Sequence, residues 1–241
     1  MTSCIRISDI KICLFCKSNK IIKDGFTKNR KQQFYCKNCH KRFIDYYSYK
    51  ACNPNVNNQI VLLAKEGMGI RSTARLLTIS TTTLLKRIVS IAQNIPQPAI
   101  LKGKTYEIDE ICSFINRKKN LVWITYALER TTKKVVSFFV GSRTCKALSK
   151  VVNPIILSEP RNIYTDKLKQ HKIIIPEKLH KIKLYATNHI ERNNLTIRTH
   201  LKRLSRKTIC YSKSENILRA LLKIYFWKET SPLPHDTSVA N

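Results

Sequence analysis

The sequence predicts an α+β protein in which a metal-binding ribbon and a small helical domain precede a strand-rich domain. Three observations lead to this prediction: two CxxC pairs near the N-terminus, three short helical segments after them, and β-branched and aromatic runs in the second half. The chain has 241 residues, of which 43% are apolar, so it is long enough to bury more than one core.

We expect a zinc ribbon at residues 1–52, a helix-turn-helix at 53–93 and a disordered tail at 229–241. Residues 94–104 (NIPQPAILKGK) contain two prolines and a glycine between periodic segments, so we interpret them as a linker. A larger domain then occupies residues 105–228. No apolar run approaches the roughly 20 residues that a membrane span requires, and the N-terminus lacks a signal-peptide pattern, which predicts a cytoplasmic protein.

The charge is strongly unbalanced, with 45 Lys and Arg against 15 Asp and Glu, which gives a net charge of +30. Such an excess repels itself in a compact state, so a polyanionic partner is expected, and DNA or RNA is the first choice. A basic ribosomal protein or a membrane-surface protein is the alternative on charge alone.

Cys13, Cys16, Cys36 and Cys39 form two CxxC pairs separated by 19 residues. Two thiolates three positions apart can bind one ion from a tight turn, and two such turns complete the four-sulfur shell of structural Zn²⁺. Asp24-Gly25 between the pairs predicts a hairpin turn, and His40 is a weaker alternative ligand. The other cysteines have no such spacing and are expected to be small core residues: Cys4, Cys52, Cys112, Cys145 and Cys210.

Three short helices are predicted at Gln59–Glu66, Ile70–Leu77 and Leu84–Ala92, with Gly67-Met-Gly69 ending the first. This pattern is typical of a helix-turn-helix, whose last helix lies in the DNA major groove, although any small helical bundle gives a similar pattern. N-cap candidates that could contact bases or phosphates precede the third helix: Ser80, Thr81, Thr82 and Thr83. Lys86 and Arg87 are expected to contact phosphate.

The second half begins with a predicted three-stranded antiparallel meander formed by TYEIDEICSF, LVWITYAL and KVVSFFV. A helix follows at residues 144–158, then a short strand, NIYT, and a fifth strand, IKLY. From Asn188 to Trp227 the pattern is helical and basic.

Three acids lie at positions where an uncompensated carboxylate would be energetically costly. Asp109 is inside the first strand, Asp166 ends the strand NIYTD, and Glu191 is in the first turn of the helix after Asn188. Carboxylates from these positions can hold two Mg²⁺ ions for phosphoryl transfer, because hard cations prefer oxygen ligands. Alternatively, Asp109 is a strand-end acid, Asp166 a turn residue, and Asn188-x-x-Glu191 a capping box.

Two neighbouring acids, Glu107 and Glu110, are fallback ligands, the first on the same strand face as Asp109 and the second on the opposite face. Arg198 lies seven residues after Glu191, on the same side of a helix, where a cation can hold a DNA phosphate near the metals. The basic strip continues through Lys202, Arg203, Arg206 and Lys207, which could equally be a solvated helix face.

These motifs together resemble the insertion sequence 1 family of bacterial transposases. The resemblance is carried by CLFC…YCKNCHKRF, GIRSTARLL, the EIDE strand and, most specifically, IERNNLTIRTHLKRL. It implies a catalytic domain of RNase H-like α/β fold with a mixed sheet at residues 105–228, in which Asp109, Asp166 and Glu191 form a DDE triad. The zinc ribbon and helix-turn-helix would then recognise the terminal inverted repeats of the element, and the single chain resembles a fused version of two reading frames.

The implied reaction is Mg²⁺-dependent cleavage of the element ends, followed by attack of the 3′-hydroxyls on target DNA by a dimer or higher assembly in the bacterial nucleoid. Asp166-Lys167-Leu168 departs from the family's usual Gly-Trp after the second Asp, so one alternative is a DNA-binding repressor with an inactive catalytic domain. The other is a tyrosine-type recombinase, because His200-Leu-Lys-Arg203 is followed by Tyr211.

Overall fold

The computed structural model describes residues 11–44, 49–53, 55–183 and 185–229. The chain divides into two compact units, Met1–Asn53 and Pro54–Asn241. Cys4 and nearly all of the expected C-terminal tail lie outside the described residues. Among the described residues, no helix is both long enough and apolar enough to span a membrane.

The first unit contains a three-stranded antiparallel sheet in the order β1 (Ile21–Phe26), β2 (Gln32–Cys36), β3 (Arg42–Ile44). The turn between β1 and β2 lies at residues 27–31, where the Thr27 N–H donates to the Lys31 carbonyl over 2.9 Å. The hairpin turn expected at Asp24-Gly25 is therefore wrong. Gly25, with φ of +73°, instead lies inside β1 where the register shifts, because a positive-φ glycine suits a β-bulge as well as a tight turn.

The second unit begins with three helices, α1 (Val56–Lys65), α2 (Ile70–Leu77) and α3 (Thr81–Gln93). They agree with the predicted helices, except that α1 and α3 each start three residues earlier than expected. Ser80 is the N-cap of α3, since its side chain accepts a hydrogen bond from the Thr83 N–H at 3.0 Å. Residues 94–104 form neither helix nor strand.

A five-stranded mixed sheet follows, in the order β6-β5-β4-β7-β8. Its first three strands form the expected antiparallel meander, β4 (Thr105–Phe114), β5 (Leu121–Glu129) and β6 (Val135–Gly141). β7 (Asn162–Tyr164) pairs parallel to β4, and β8 (His180–Lys181) pairs parallel to β7. The fifth strand thus precedes the predicted IKLY segment.

Helices cover both faces of this sheet. The odd-numbered residues of β4 face α6 (Asn188–His200) and α7 (Glu215–Trp227), with Ile111 in the same apolar core as Ile190 and Leu222. The even-numbered residues face α4 (Cys145–Leu157) and α5 (Lys169–Ile174), where Tyr106 and Ile108 pack with buried residues of α4. Burying each such aliphatic side chain contributes about 1.5–3 kcal/mol.

The helical region predicted from Asn188 to Trp227 is interrupted. α6 ends at His200, a 3-10 turn follows at Lys202–Leu204, and α7 begins only at Glu215. Leu201 and Leu204 are buried in the core between the two helices, which explains why an apolar, basic pattern continues through a segment that is not α-helical.

The last helix also packs against the first three. α7 contacts α1 and α3, and Ile217 lines a shallow pocket with Leu85 and Val89 of α3. At a second point, Gly67 lies directly against the backbone carbonyl of His200. The helices of residues 55–95 are therefore packed on the sheet-containing part of the same unit.

Candidate functional site

An open cleft of about 1070 Å³ lies beside α6. Acidic side chains on one part of its lining are Asp109, Glu110 and Glu191. Basic side chains on another part are Arg198, Lys202, Arg206 and Lys207. A cleft with both kinds of charge can bind a metal ion through its acids and a phosphate backbone through its basic residues.

Three carboxylates form the acidic part of the site. Asp109, Glu110 and Asp166 each offer an oxygen, and these oxygens all lie within 4.8 Å of one another. Sheet pairing explains why two of them meet: Glu107 is paired with Tyr164 in the parallel β4–β7 ladder, so Asp109 and Asp166 each lie two residues further along. Mg²⁺ and Ca²⁺ take oxygen ligands at about 2.0–2.6 Å, so opposite ligands lie about 4–5 Å apart, and this group fits one divalent cation.

Asp109 is the most electrostatically strained member of the group. Burial raises the pKa of Asp109 to about 6, and the neighbouring charges of Glu110 and Asp166 act in the same direction. Hydrogen bonds from the Glu110 N–H at 2.8 Å and the Asn194 side chain at 2.6 Å partly oppose this rise in pKa. A bound cation would relieve the same strain.

His171 of α5 lies between the other two acids and is completely buried. Its Nε2 is 3.0 Å from Glu110 Oε1, and its Nδ1 is 3.3 Å from Asp166 Oδ1. Neither ring nitrogen has hydrogen-bonding geometry toward these oxygens, so the contacts are electrostatic. Burial lowers the pKa of His171, but the two carboxylates outweigh it and raise the pKa to about 9, while contact with His171 lowers the pKa of Asp166.

Glu191 lies in the first turn of α6 and lines the same cleft as Asp109. It is exposed, accepts a hydrogen bond from Thr187 Oγ1 at 2.8 Å, and lies outside the group of three close carboxylates. Because α6 begins at Asn188, that residue is inside the helix, and the capping box considered from the sequence is not formed.

The two fallback acids have different surroundings. Glu110 joins the close group although it starts from the opposite strand face, and Arg143 contacts its other oxygen at 3.1 Å. Glu107 is fully buried and faces α6: it accepts from the Ile190 N–H at 2.9 Å and contacts Arg130 at 3.3 Å. Glu107 therefore holds the helix rather than lining the cleft.

Two residues that sequence reasoning missed connect α6 to the sheet. Asn194 donates to Asp109, and its amide oxygen accepts from the Tyr126 hydroxyl at 2.6 Å. Burial raises the pKa of Tyr126 well above its usual range, so this hydroxyl keeps its proton. Asn194 lies in the ERNN sequence next to Glu191, but only the packing of α6 on β4 and β5 shows what the amide contacts.

The basic residues of the predicted strip differ in accessibility. Lys202 is exposed in the cleft, and Arg198 is partly enclosed there, which lowers the pKa of Arg198. Arg203 instead turns inward, donates to Ser212 Oγ at 3.3 Å, and has its pKa lowered by burial. Only part of the strip is thus open to a phosphate.

The predicted DNA-contacting residues surround the start of α3. Thr81, Thr82 and Lys86 are exposed. Ser80 is engaged as the N-cap, with its hydroxyl donating to Thr83 Oγ1 at 2.8 Å. Arg87 donates to Asn57 of α1 at 3.0 Å, so in this structure it braces two helices.

The four paired cysteines converge in the first unit. Sγ atoms of Cys13 and Cys39 lie 3.6 Å apart, as do those of Cys16 and Cys36. A tetrahedral Zn²⁺ with bonds of about 2.3 Å requires sulfur separations of about 3.8 Å, so the cluster has the right size for zinc. His40 hydrogen-bonds Tyr35 at 2.7 Å and is not a member of the cluster. Cys52 and Cys210 are exposed, contrary to the expectation that they lie in a core.

The residues of the tyrosine-recombinase alternative each contact a different group. Tyr211 packs on Phe114, with ring centroids 5.4 Å apart, while the His200 ring contacts the Tyr225 hydroxyl at 2.8 Å. Arg203 contacts Ser212 as described above. The structure therefore gives no support to a shared nucleophilic site around Tyr211.

Comparison with known families gives two matches in this chain. A family model described as IS1 transposase matches residues 104–230, and one described as InsA C-terminal domain, of a helix-turn-helix type, matches residues 47–90. Together they cover most of the helical region, up to residue 90 within α3, and all strands of the five-stranded sheet.

Individual proteins show the same similarity. The insertion element iso-IS1n protein InsB of Shigella dysenteriae is 34% identical over 125 residues, which cover 51% of this chain and 93% of that protein. The insertion element IS1 protein InsB of Shigella flexneri is 34% identical over 108 residues, covering 45% and 82%. Among solved structures, the HTLV-2 integrase catalytic core domain in complex with magnesium is 18% identical, with a TM-score of 0.34, and covers 52% of this chain and 86% of that one.

Proposed function

The chain belongs to the IS1 transposase family, and on that premise we propose that it cuts the ends of an insertion element and joins them to target DNA with divalent metal ions. As a member of this family, the protein is a DNA transposase with a helix-turn-helix DNA-binding region and a mixed α+β catalytic region.

One observation carries the proposal: carboxylate oxygens of Asp109, Glu110 and Asp166 lie within 4.8 Å of one another. Asp109 and Glu110 also line the cleft that contains Arg198 and Lys202. His171 and Arg143 already face Glu110 and Asp166, so the charge that a bound cation would compensate is chiefly that of Asp109, whose pKa is raised by burial and by the other two carboxylates. Oxygen ligands in a group of this size suit a hard divalent cation, and we propose Mg²⁺ as the ion.

We assign Asp109, Asp166 and Glu191 as the catalytic triad, with Glu110 beside it. Bound Mg²⁺ would supply Lewis acidity and lower the pKa of a coordinated water. Asp109 and Asp166 would hold the ion from adjacent strands, and Glu191 would complete the set from α6. Arg198, which lines the cleft, would bind a phosphate of the cleaved strand and keep it in line for attack.

The chemistry needs no covalent bond between protein and DNA. In the first step, water adds to the scissile phosphorus, and the bond from phosphorus to the 3′ oxygen breaks, which leaves a 3′-hydroxyl and a 5′-phosphate. In the second step, that 3′ oxygen attacks a phosphorus of the target strand, loses its proton, and displaces the target's own 3′ oxygen. In both steps the carboxylates would act only as metal ligands, and the basic residues of the cleft would act only by binding the DNA phosphates.

We further propose that the first unit is a zinc ribbon and that the sheet has an RNase H-like fold. The cysteine geometry supports the first assignment, and the second is supported by a meander followed by two parallel strands at one edge. The ribbon and α3 would bind the terminal inverted repeats. Because two ends must react together, the active form would be a dimer or higher assembly.

The test is cleavage of DNA that carries an element end. We expect Mg²⁺-dependent nicking that disappears in Asp109→Ala and Glu191→Gln and is retained in Tyr211→Phe. Sequence-specific binding of the end without nicking by the wild type in any divalent metal would instead identify a repressor. A covalent protein–DNA adduct lost in Tyr211→Phe would identify a tyrosine recombinase.

A further inference from the structure

A chain of hydrogen bonds runs from β5 through α6 to the carboxylate of Asp109. The Tyr126 hydroxyl donates to Asn194 Oδ1 at 2.6 Å, and Asn194 Nδ2 donates to Asp109 Oδ2 at 2.6 Å. Asn193 Nδ2 lies 3.2 Å from the same hydroxyl, where it donates to the oxygen of Tyr126.

The direction of this chain follows from the chemistry of its ends. A carboxylate can only accept, so the amide nitrogen of Asn194 must face Asp109 and its amide oxygen must face Tyr126. The tyrosine remains protonated because it is buried, and it donates to Asn194 over 2.6 Å, the shorter of its two acceptor contacts; the other is the Ile190 carbonyl at 3.2 Å. The Asn194 amide therefore has one favoured orientation, with its nitrogen toward Asp109 and its oxygen toward Tyr126.

Asp109 is thereby held at both of its oxygens. Oδ1 accepts from the Glu110 N–H at 2.8 Å, and Oδ2 accepts from Asn194. A carboxylate has about four acceptor positions, so each oxygen keeps one for a cation while the plane of the group is fixed.

The same contact sets the register of α6 on β4. Ile190 meets Glu107 and Asn194 meets Asp109, so four residues of helix match two residues of strand. Four helical residues rise about 6.0 Å, and two strand residues span about 6.6 Å, so both contacts form without distorting either element.

Glu191 and Arg198 lie three residues before and four residues after Asn194, on the same side of α6. Both of them line the cleft that contains Asp109. A change at Asn194 would therefore affect the position of the carboxylate that the helix supplies and of the cation that faces the DNA.

We propose that Asn194, oriented by Tyr126, is a positioning residue that fixes the Asp109 carboxylate for metal binding and sets the distance from Asp109 to Glu191. This proposal rests on the proposed function, since it concerns the same metal site. Outer groups that orient metal ligands typically change metal affinity or activity by about 10–100-fold when they are removed.

Mn²⁺ is the probe, because its binding to the DNA-free full chain can be followed by electron paramagnetic resonance. We expect Asn194→Ala to weaken Mn²⁺ binding by about tenfold and to raise the Mn²⁺ concentration needed for half-maximal DNA nicking by a similar factor. Tyr126→Phe removes only the hydroxyl and should act in the same direction by a few-fold. Thr196→Ala is the matched control, since Thr196 is exposed on the same helix and hydrogen-bonds only within it, to the Arg192 carbonyl.

Circular dichroism melting would establish that each variant is folded. Unchanged Mn²⁺ affinity in both folded Asn194→Ala and folded Tyr126→Phe would overturn the proposal. If Asn194→Ala does not fold, Tyr126→Phe alone decides. Asp109→Ala separates the two hypotheses: if it leaves Mn²⁺ binding intact, the proposed function fails, whereas a loss of binding in Asp109→Ala without any effect at Asn194 or Tyr126 refutes only the positioning role.

Discussion

The buried carboxylate of Glu107 accepts a hydrogen bond from the backbone N–H of Ile190, 2.9 Å away, and so joins the middle of the sheet to the first turn of α6. The first N–H groups of a helix have no partner within the helix, and the helix dipole favours a negative charge there. Arg130 and His189 contact the same carboxylate at 3.3 Å and 2.9 Å. Glu107 is therefore a structural acid two residues away from Asp109, the acid that we propose as a metal ligand.

Glu107→Ala should destabilise the second unit by about 3–5 kcal/mol, because it leaves the Arg130 charge and the Ile190 N–H without their buried partner. Glu107→Gln keeps an oxygen for the Ile190 N–H and should cost less. Urea denaturation followed by circular dichroism would measure both values. Equal stability of the alanine variant and the wild type would show that the carboxylate does not hold α6.

Gly67→Ala should destabilise the fold beyond the cost of its backbone conformation. The residue has φ of +69°, and an added β-carbon would collide with the His200 carbonyl. Gly103→Ala is the matched control, since Gly103 has φ of +70° but open space around it. We expect about 1–2 kcal/mol for Gly103→Ala, from the left-handed conformation alone, and a larger loss for Gly67→Ala. The packing of α6 on the α1–α2 turn would be in question if the two losses were equal.

Zinc removal should unfold the first unit while the second unit stays folded. We expect one Zn²⁺ per chain by metal analysis, with a strong loss of zinc in Cys36→Ser, because the ligand shell supplies much of the folding energy of so small a domain. Cys210→Ser is the control, since Cys210 is exposed and outside the cluster. Full zinc content in Cys36→Ser would contradict the assignment of the metal site.

The metal-free protein should lose stability as the pH rises through the titration of Asp109. Burial raises the pKa of Asp109 from 3.8 to about 6, so the folded state holds this proton more tightly than the unfolded state does. The free energy of unfolding should therefore fall between about pH 4 and pH 6 by at most about 3 kcal/mol from this residue. Asp109→Asn should remove that part of the pH dependence in chemical denaturation from pH 4 to 8. If the free energy of unfolding depends on pH in the same way for the variant and the wild type, the pKa of Asp109 is not raised in the folded state.

Lys202 and Arg203 are adjacent but should behave differently when they are changed to alanine. Lys202 is exposed in the cleft, so Lys202→Ala should weaken DNA binding and reduce the salt dependence of the binding constant by about one phosphate contact. Arg203 is enclosed and contacts Ser212, so Arg203→Ala should mainly lower the melting temperature. Fluorescence anisotropy at several salt concentrations would separate the two effects. The reverse result would mean that Arg203 turns outward when DNA binds.

Local signals predicted much of this fold because the features concerned depend on neighbouring residues. The CxxC pairs, the meander and the helices α1 to α3 each follow from spacing or periodicity. The break between α6 and α7 was missed because Leu201 and Leu204 continue the apolar pattern of a helix, although they pack into the core from a segment that contains a 3-10 turn. The bulge at Gly25 was missed because a positive φ is compatible with either a turn or a bulge.

The acidic site was predictable only in part. Asp109 could be proposed as a metal ligand because a carboxylate in a central strand is costly, and Asp166 because it follows a short predicted strand, although β7 itself ends at Tyr164. His171 and Asn194 gave no signal of their own, since the first reaches the site by the docking of α5 and the second by the register of α6. The sequence pattern does not show which elements far apart in the chain contact each other.

The packing of α7 against α1 and α3 would, under the proposed function, fix the distance between the DNA-binding helices and the carboxylate site. A flexible connection would allow variable spacing between the bound sequence and the cleaved phosphate, whereas packed helices would keep that spacing constant. Inserting a few base pairs between the recognised sequence and the element's terminus should therefore move the nick with the protein, away from the true end.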